Sequence, residues 1–418
     1  MIGDSIRRVG LEEARALPFL KQPVFLLFLM AFAMPMTFAT WSALLNNFVI
    51  EVADFTGVEI GWLHTVREIP GFLAVGVIFL IIYVREQVLG LASLVLLGAA
   101  SAVTAYFPSF GGLLLLTLLS SIGFHYYETV NQSLQLQWIE KERAPKVLGW
   151  LTAAGSLASL LSYGALVLTW KTFDLSYEFV YMASGGITVA IAVFAFFYFP
   201  QFEAPNPQVK KMILRRRYWL YYALQFVSGA RRQIFIVFAA FMMVEHFGFE
   251  VHEVTALFLI NYVANMIIAP LVGNAIHKYG ERNMLIVEYT GLSLVFLAYG
   301  GIYYFGWGLM VGAALYVMNH LFFSMAFAIK TYFQKIAAPE DIAPTAAVAF
   351  TINHIAAVFL PAGLGYLWVV SQVSVFVLAA GMAITSLVLS ALIPRHPMPG
   401  HETIFASART RAQIGAAE

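Results

Sequence analysis

Long apolar runs alternate with short polar segments along almost the whole chain. A membrane-spanning helix needs ~20 mainly apolar residues, and these runs reach that length. We therefore predict an all-α membrane protein with twelve transmembrane helices. The predicted helices cover residues 24–50, 58–84, 87–107, 111–138, 146–170, 177–199, 218–246, 253–276, 283–304, 307–333, 345–370 and 373–393.

One polar connection is longer than the others and divides the predicted helices into two groups of six. It covers residues 200–217, with the sequence PQFEAPNPQVKKMILRRR. We therefore predict a cytoplasmic N-terminal tail 1–22, an N-terminal six-helix bundle 23–199, a cytoplasmic central loop 200–217, a C-terminal six-helix bundle 218–394 and a cytoplasmic C-terminal tail 395–418.

The two groups of six helices resemble each other at matching places. Residues 48–63 in the first group correspond to 241–259 in the second, and residues 136–145 correspond to 333–344. Each pair puts the same helix-loop-helix in the same position of its group, so we predict two six-helix pseudo-repeats. Repeats of this kind occur in transporters, where the solute site lies near the bilayer midplane at the repeat interface.

Composition and charge agree with a membrane protein and give its orientation. Only 11% of the residues are charged, against roughly 25% in soluble domains. Nineteen of the 24 Lys and Arg residues lie in the tails and in the loops on one side, and only Lys171 lies in a loop on the other. Positively charged loops mark the cytoplasmic side, so both termini should be cytoplasmic. We expect a multi-pass protein of the bacterial inner membrane.

The loop after the eighth predicted helix carries a recognisable pattern, GNAIHKYGER (273–282). It resembles the cytoplasmic loop signature of the major facilitator superfamily, in which glycines alternate with an acidic residue and several basic residues. Here His277 stands at the acidic position and Glu281 at a usually basic one. In the first half only Arg85 and Glu86 remain of the signature.

This resemblance implies a secondary transporter whose two bundles rock about a central site and so give alternating access. It also implies a cytoplasmic charge network that breaks and re-forms, in which we place Lys278 and Arg282 as gating or ion-pair residues. Drug/proton antiporters of this superfamily carry a Gly-x-x-x-Gly-Pro pattern in helix 5. Here Gly155 and Gly164 have no proline between them, which disfavours multidrug export.

Two adjacent arginines lie in the middle of the seventh apolar run. A charge at the bilayer centre costs ~3 kcal/mol or more, so Arg231 and Arg232 are first interpreted as functional. Adjacent helical residues point ~100° apart, so both cannot face one spot. Gln225, Ser228 and Arg232 form one polar stripe, which makes Arg232 the better candidate for binding an anion. Arg231 could also contact the solute, or pair structurally with a carboxylate such as Glu128.

The fourth predicted helix carries His125, Glu128, Gln132 and Gln135 on one face. Lipid offers polar side chains no partner, so this face should line a cavity or meet other polar groups. Burial raises a carboxyl pKa and a nearby arginine lowers it. We therefore assign proton coupling to Glu128 and His125 and solute contact to Gln132. The alternative is that Glu128 only neutralises an arginine.

Other polar and aromatic residues lie at plausible midplane depth. Arg67 and Glu68, near the extracellular end of the second helix, could form a gate or an interhelical ion pair. His125, His320 and His354 could suggest a transition-metal site, but histidines on packed helices usually form hydrogen bonds, so we predict no metal and no cofactor. Further predicted solute contacts are Asn261, Asn265, His320, Trp41 and Tyr127.

We therefore expect a monomeric secondary transporter for a small organic anion, coupled to protons, and not an enzyme. Aromatic residues mixed with arginines suit an amphipathic organic anion better than an inorganic one. The expected partners are the solute, protons and the lipid bilayer, and no nucleic acid. One alternative is efflux of amphipathic drugs or toxic metabolites. Another is a non-transporting assembly factor or sensor, because a fold does not fix a function.

Overall fold

The computed structural model describes residues 8–73, 77, 80, 83–139, 144–203, 214–338 and 341–405. Within them, twelve long helices follow one another, two of which change helix type along their length. Their bounds are α1 Pro23–Glu51, α2 Gly57–Phe72, α3 Glu86–Ala102, α4 Phe110–Trp138, α5 Ala144–Thr169, α6 Tyr177–Tyr198, α7 Trp219–Ile234 with Phe235–Ala239 and Ala240–Glu245, α8 Val251–Tyr279, α9 Glu281–Phe305, α10 Leu309–Phe323 with Ser324–Ala326 and Phe327–Ile336, α11 Ile342–Val370 and α12 Gln372–Ala391.

Length and composition make ten of these helices able to cross a membrane. The other two are α3, a shorter apolar helix of 17 residues, and α2. Part of the predicted second span (74–76, 78, 79, 81 and 82) lies outside the described residues. The predicted all-α architecture of twelve helices is confirmed.

Contacts divide the chain into two compact units. Unit 1 contains residues 1–55, 66–209 and 250–259, and unit 2 contains residues 56–65, 210–249 and 260–418. The main boundary falls inside the predicted central loop. The units nevertheless differ from two contiguous halves, because α2 begins in unit 2 and α8 begins in unit 1.

The two units are built from the same helix pairings. In unit 1, α3 packs against both α4 and α6, and α1 packs against α5 and α6. In unit 2, α9 packs against both α10 and α12, and α7 packs against α11 and α12. Each of these four pairings in unit 1 thus has its counterpart six helices later in unit 2, which confirms the predicted pseudo-repeat.

The predicted N-terminal tail and the predicted central loop each contain a short strand. A parallel two-stranded sheet joins β1 (Arg8–Gly10) to β2 (Gln201–Glu203), and a short helix, Leu11–Arg15, follows β1. The side chain of Gln87 binds the other edge of β2, because its Nε2 donates to the Pro200 carbonyl at 2.9 Å and its Oε1 accepts from the Phe202 N–H at 3.0 Å. Residues 8–10 of the tail and 201–203 of the central loop therefore pair as strands, which was not predicted from the sequence. Residues 204–213 of that loop lie outside the described residues.

Candidate functional site

Arg231 is enclosed inside unit 2, with 1% of its side chain exposed. Its Nη2 lies 3.2 Å from Oε1 of Glu288 in α9, and its Nη1 donates to Oγ of Ser386 in α12 at 3.1 Å. The guanidinium also lies 4.7 Å from the ring centroid of Tyr289. One buried ion pair thus joins α7, α9 and α12. The carboxylate partner is Glu288 and not Glu128, and this burial does not fit the solute contact predicted for Arg231.

Arg232 faces a different helix and keeps accessible surface. Its Nη2 donates to Oδ1 of Asn353 in α11 at 2.9 Å, and the Nδ2 of Asn353 donates to the Gln225 carbonyl at 3.2 Å. A Cβ added at Gly229 would lie 2.5 Å from the Asn353 carbonyl oxygen, so α7 and α11 approach closely here. Gln225, Gly229 and Arg232 therefore form the face of α7 that meets Asn353. The two arginines diverge as their ~100° separation requires.

The helix geometry of α7 changes directly after the two arginines. Residues Phe235–Ala239 form a π-helical turn, and the chain then returns to α-helix at Ala240. Such turns are rare and occur frequently at functional sites. The Phe235 ring lies 4.8 Å from the Tyr316 ring of α10, which places the following turn of α10, with Asn319, at the depth of the arginines.

The remaining predicted solute contacts in unit 2 differ in accessibility. Asn265 of α8 is exposed and His320 of α10 is half-buried. Asn261 of α8 is buried, and its Oδ1 has no hydrogen-bond partner among the described residues. Arg232, Asn265 and His320 are therefore the predicted contacts of unit 2 that keep accessible surface.

In unit 1, Arg67 and Glu68 pair with each other. The Nη2 of Arg67 donates to Oε1 of Glu68 at 2.5 Å, and the Arg67 carbonyl accepts a hydrogen bond from the Ser121 hydroxyl of α4. The guanidinium lies 5.9 Å from the ring centroid of Trp41 in α1. This ion pair is formed between neighbours on one helix, and the predicted gate or interhelical ion pair stays a prediction.

An aromatic column connects Trp41 to the polar face of α4. The Phe38 ring lies 6.3 Å from Trp41 and 4.8 Å from Phe124, and the Phe124 ring lies 5.0 Å from His125. Trp41 and His125 are both buried. This column places predicted solute and proton residues of α1 and α4 in one continuous layer.

Tyr127 of α4 differs in accessibility from two residues of the predicted polar face of the same helix. Glu128 is half-buried and Gln132 is exposed, so both keep accessible surface. Tyr127 is 1% exposed and belongs to the apolar core of unit 1. Its predicted solute contact is not supported, because it lies ~100° around the helix from Glu128 and faces the packed interior.

The cytoplasmic ion pair predicted around α8 and α9 uses other residues. Lys278 is exposed, with its ammonium 5.1 Å from the ring centroid of Tyr279, and Arg282 is half-buried. The ion pair at this position joins Oε1 of Glu281 to Nζ of Lys335 at 2.8 Å. Glu281 and Lys335 thus form an ion pair that was not predicted from the sequence, and the gating role of Lys278 and Arg282 stays a prediction.

At the corresponding position in unit 1, a glutamate binds uncharged side chains instead of a lysine. Glu86 begins α3 as Glu281 begins α9. Its two carboxylate oxygens accept hydrogen bonds from the Ser133 hydroxyl at 2.9 Å and the Gln137 amide at 2.5 Å. A carboxylate in the first turn is favoured by the helix dipole.

A second charged cluster was not predicted from the sequence. The Asp341 carboxylate, at the start of α11, accepts hydrogen bonds from Arg215, Arg217 and Tyr218 at 2.9–3.2 Å. Burial raises the pKa of the Asp341 carboxyl, but the hydrogen bonds from Arg215, Tyr218 and Arg217 together lower it by more. The pKa of Asp341 therefore lies below its ordinary value. The run Arg215–Arg217 had been interpreted only as a positive loop.

Small residues at the beginning of α2 were also missed. A Cβ added at Gly61 would clash with the Pro361 carbonyl of α11, and a Cβ at Gly365 would clash with the Gly57 carbonyl. The Thr65 hydroxyl accepts a hydrogen bond from the Ala362 N–H at 3.1 Å. Gly57, Gly61 and Thr65 are spaced four residues apart, a spacing that lets helix backbones approach in membranes.

Two units of equivalent helix packing, with charged side chains inside their spans, define a multi-pass membrane protein of the kind that moves solutes. The family model described as "Major Facilitator Superfamily" matches residues 24–361. The chain belongs to the Major Facilitator Superfamily. It is therefore a membrane transporter whose partner is a small-molecule solute.

Solved structures show the same fold at low sequence identity. A point variant of the nucleoside transporter NupG is 13% identical, with a TM-score of 0.73 over 88% of this chain and 99% of that one. A bacterial homologue of the human lysosomal transporter Spinster, in an inward-facing and occupied conformation, is 11% identical, with a TM-score of 0.68 over 88% of this chain and 95% of that one. No curated protein sequence matches the chain. At these identities the likeness concerns the fold alone.

Proposed function

We propose that the protein transports a small organic anion by alternating access and that Arg232 binds the anion. The observation that carries this proposal is the contrast between the two arginines. Arg231 is enclosed and paired with Glu288, whereas Arg232 keeps accessible surface within a spanning helix and donates to the neutral amide of Asn353. Charged residues held at this depth usually serve a solute or ion pathway.

The chemistry of arginine supports an anionic solute. A guanidinium presents several N–H donors in one plane, which match the two oxygens of a carboxylate or phosphate. Asn265 and His320 supply accessible polar groups in the same unit. The proposed solute contacts within unit 2 are therefore Arg232, Asn265 and His320.

Proton coupling is the second part of the proposal, and Glu128 is the residue that we assign to it. Its carboxyl is half-buried on the polar face of α4, one turn from His125. A carboxyl in such a setting can bind and release a proton when its surroundings change, because burial favours the neutral form and a nearby positive charge favours the ionised form. We also propose a monomer in the bacterial inner membrane with both termini in the cytoplasm, on the strength of the positively charged loops.

A thermal-shift screen of the purified protein tests the anion site. The panel contains carboxylates, phosphorylated metabolites, a neutral nucleoside and cationic amphiphiles, since a ligand that binds the folded state raises its midpoint. Anions should stabilise the wild type and Arg395→Gln, a change at an exposed basic residue, but not Arg232→Gln. Stabilisation by cations alone would instead favour the alternative of drug efflux.

Uptake into proteoliposomes tests proton coupling. Transport of a stabilising anion should respond to a pH gradient in the wild type and in Glu178→Gln, a change at an exposed carboxylate of α6. The response should disappear in Glu128→Gln, because an amide cannot carry the proton. A Glu128→Gln protein with unchanged pH-gradient dependence would remove Glu128 from this role.

A further inference from the structure

Asn353 lies between the guanidinium of Arg232 and the backbone of α7. Its Oδ1 accepts from Arg232 Nη2 at 2.9 Å, while its Nδ2 donates to the Gln225 carbonyl at 3.2 Å. The Asn353 amide therefore accepts a hydrogen bond from Arg232 and donates one to the backbone of α7, the helix that carries Arg232.

Gly229 makes this arrangement possible. A Cβ at this position would lie 2.8 Å from both Cγ and Nδ2 of Asn353, so the amide rests directly on the backbone of α7. Gln225, Gly229 and Arg232 occupy one face of α7, and the Asn353 side chain spans that face. Its oxygen lies where an acceptor must lie to bind Nη2 of Arg232.

We propose that Asn353 occupies part of the anion site and that a bound anion displaces it from Arg232. This inference rests on the proposed function, because it assumes that Arg232 binds the solute. A carboxylate or phosphate carries a full negative charge and can accept two parallel N–H bonds from one guanidinium, whereas the neutral amide oxygen of Asn353 accepts one, so the anion replaces the amide oxygen. The displaced Asn353 side chain turns away, and α11 loses both bonds that this amide makes to α7.

Two consequences follow for binding and for movement. Asn353 competes with the solute, so the apparent affinity is lower than the intrinsic affinity by the fraction of protein in which Arg232 is available. Solute binding also exchanges a bond between α7 and α11 for a bond to the solute. Asn353 thus links occupation of the site to the contact between these two helices of unit 2.

Variants of Asn353 test the proposal with benzoate and phenyl phosphate as probes and benzamide as the neutral analogue. Asn353→Ala removes the competitor, so we expect the apparent affinity for at least one anionic probe to rise about tenfold, equivalent to ~1.4 kcal/mol. Asn353→Asp keeps the size of the side chain and gives Arg232 a permanent anionic partner, so binding of both probes should be lost. Asn283→Ala removes a side-chain bond from α9 to the Tyr279 carbonyl at the end of α8 and should leave binding unchanged.

The results distinguish this inference from the proposed function. A merely structural Asn353 predicts weaker binding in Asn353→Ala, the opposite of our expectation. Anion binding by the wild type with equal or weaker binding by Asn353→Ala, or retained binding by Asn353→Asp, would overturn the inference alone. A wild type that binds neither anion, or binds benzamide equally well, would contradict the anion site itself and the inference with it.

Discussion

Removing one partner of the buried ion pair between Arg231 and Glu288 should destabilise unit 2. Changing Glu288 to Gln leaves the guanidinium charged in a place where 1% of its side chain is exposed. Removing one partner of a buried ion pair costs ~3–5 kcal/mol, because the other charge stays buried without compensation. The Ser386 hydroxyl and the Tyr289 ring remain next to Arg231 and reduce this cost. We therefore expect a loss of about 3 kcal/mol, the lower end of that range.

Replacing both partners should restore most of the loss. Well-packed hydrophobic residues can substitute for a buried ion pair with little or no cost in stability, because no charge is left behind. Arg231→Met combined with Glu288→Met fills similar volume. Ser386 keeps a partner in this double variant, since its hydroxyl also donates to the Met382 carbonyl at 3.1 Å.

Intrinsic tryptophan fluorescence during heating measures these effects, since the chain has 8 tryptophans. A domain of 150–250 residues loses roughly 2–4 °C per kcal/mol, so Glu288→Gln should melt roughly 6–12 °C below the wild type. The double variant should melt close to the wild type, and Glu178→Gln serves as the exposed control. A Glu288→Gln protein with the wild-type midpoint, or a double variant no more stable than the single one, would refute this reasoning.

Three further changes probe other contacts. Gly61→Ala should lower the melting temperature, because overpacking costs ~1–3 kcal/mol and the added Cβ meets the Pro361 carbonyl; unchanged melting would contradict the close contact. Val9→Asp places a charge at a buried position of β1 and should speed tryptic cleavage near residue 15, compared with Arg8→Gln. Asp341→Asn should melt earlier than the wild type at neutral pH. That difference should shrink below pH ~4, because a carboxylate with a lowered folded pKa stabilises above its unfolded pKa of ~3.9 and loses this effect in acid; a constant difference would argue against the arginine contacts.

The helices could be predicted because the bilayer sets the length of an apolar run. The predicted seventh span, 218–246, agrees closely with the helical residues from Trp219 to Glu245. The contact of Gly61 with Pro361 could not be predicted in the same way. The four-residue spacing of Gly57, Gly61 and Thr65 is visible in the sequence. The helix that these residues contact, α11, is distant in the chain, and only packing determines which helix it is.

The partner of Arg231 shows where depth arguments fail. At 1.5 Å per residue, Arg231 lies about 18 Å along α7 from Trp219, while Glu288 lies only about 10 Å along α9 from Glu281. Counting residues therefore places Arg231 and Glu288 at different depths, and Glu128 was the possible carboxylate partner named from the sequence. The structure nevertheless brings the two side chains within 3.2 Å of each other, and the offset between neighbouring helices cannot be read from hydropathy.

The two arginines depend on each other although they contact different helices. Arg231 binds α9 and α12 through Glu288 and Ser386, and this fixes the rotation of α7 about its own axis. That rotation turns Arg232 towards Asn353 of α11. A rotation of α7 by half a turn would move Arg231 away from Glu288 and leave its charge buried without a partner, which is costly in hydrocarbon. The buried pair therefore holds the accessible arginine in place, and the π-helical turn that follows allows the rest of α7 to pack independently of this constraint.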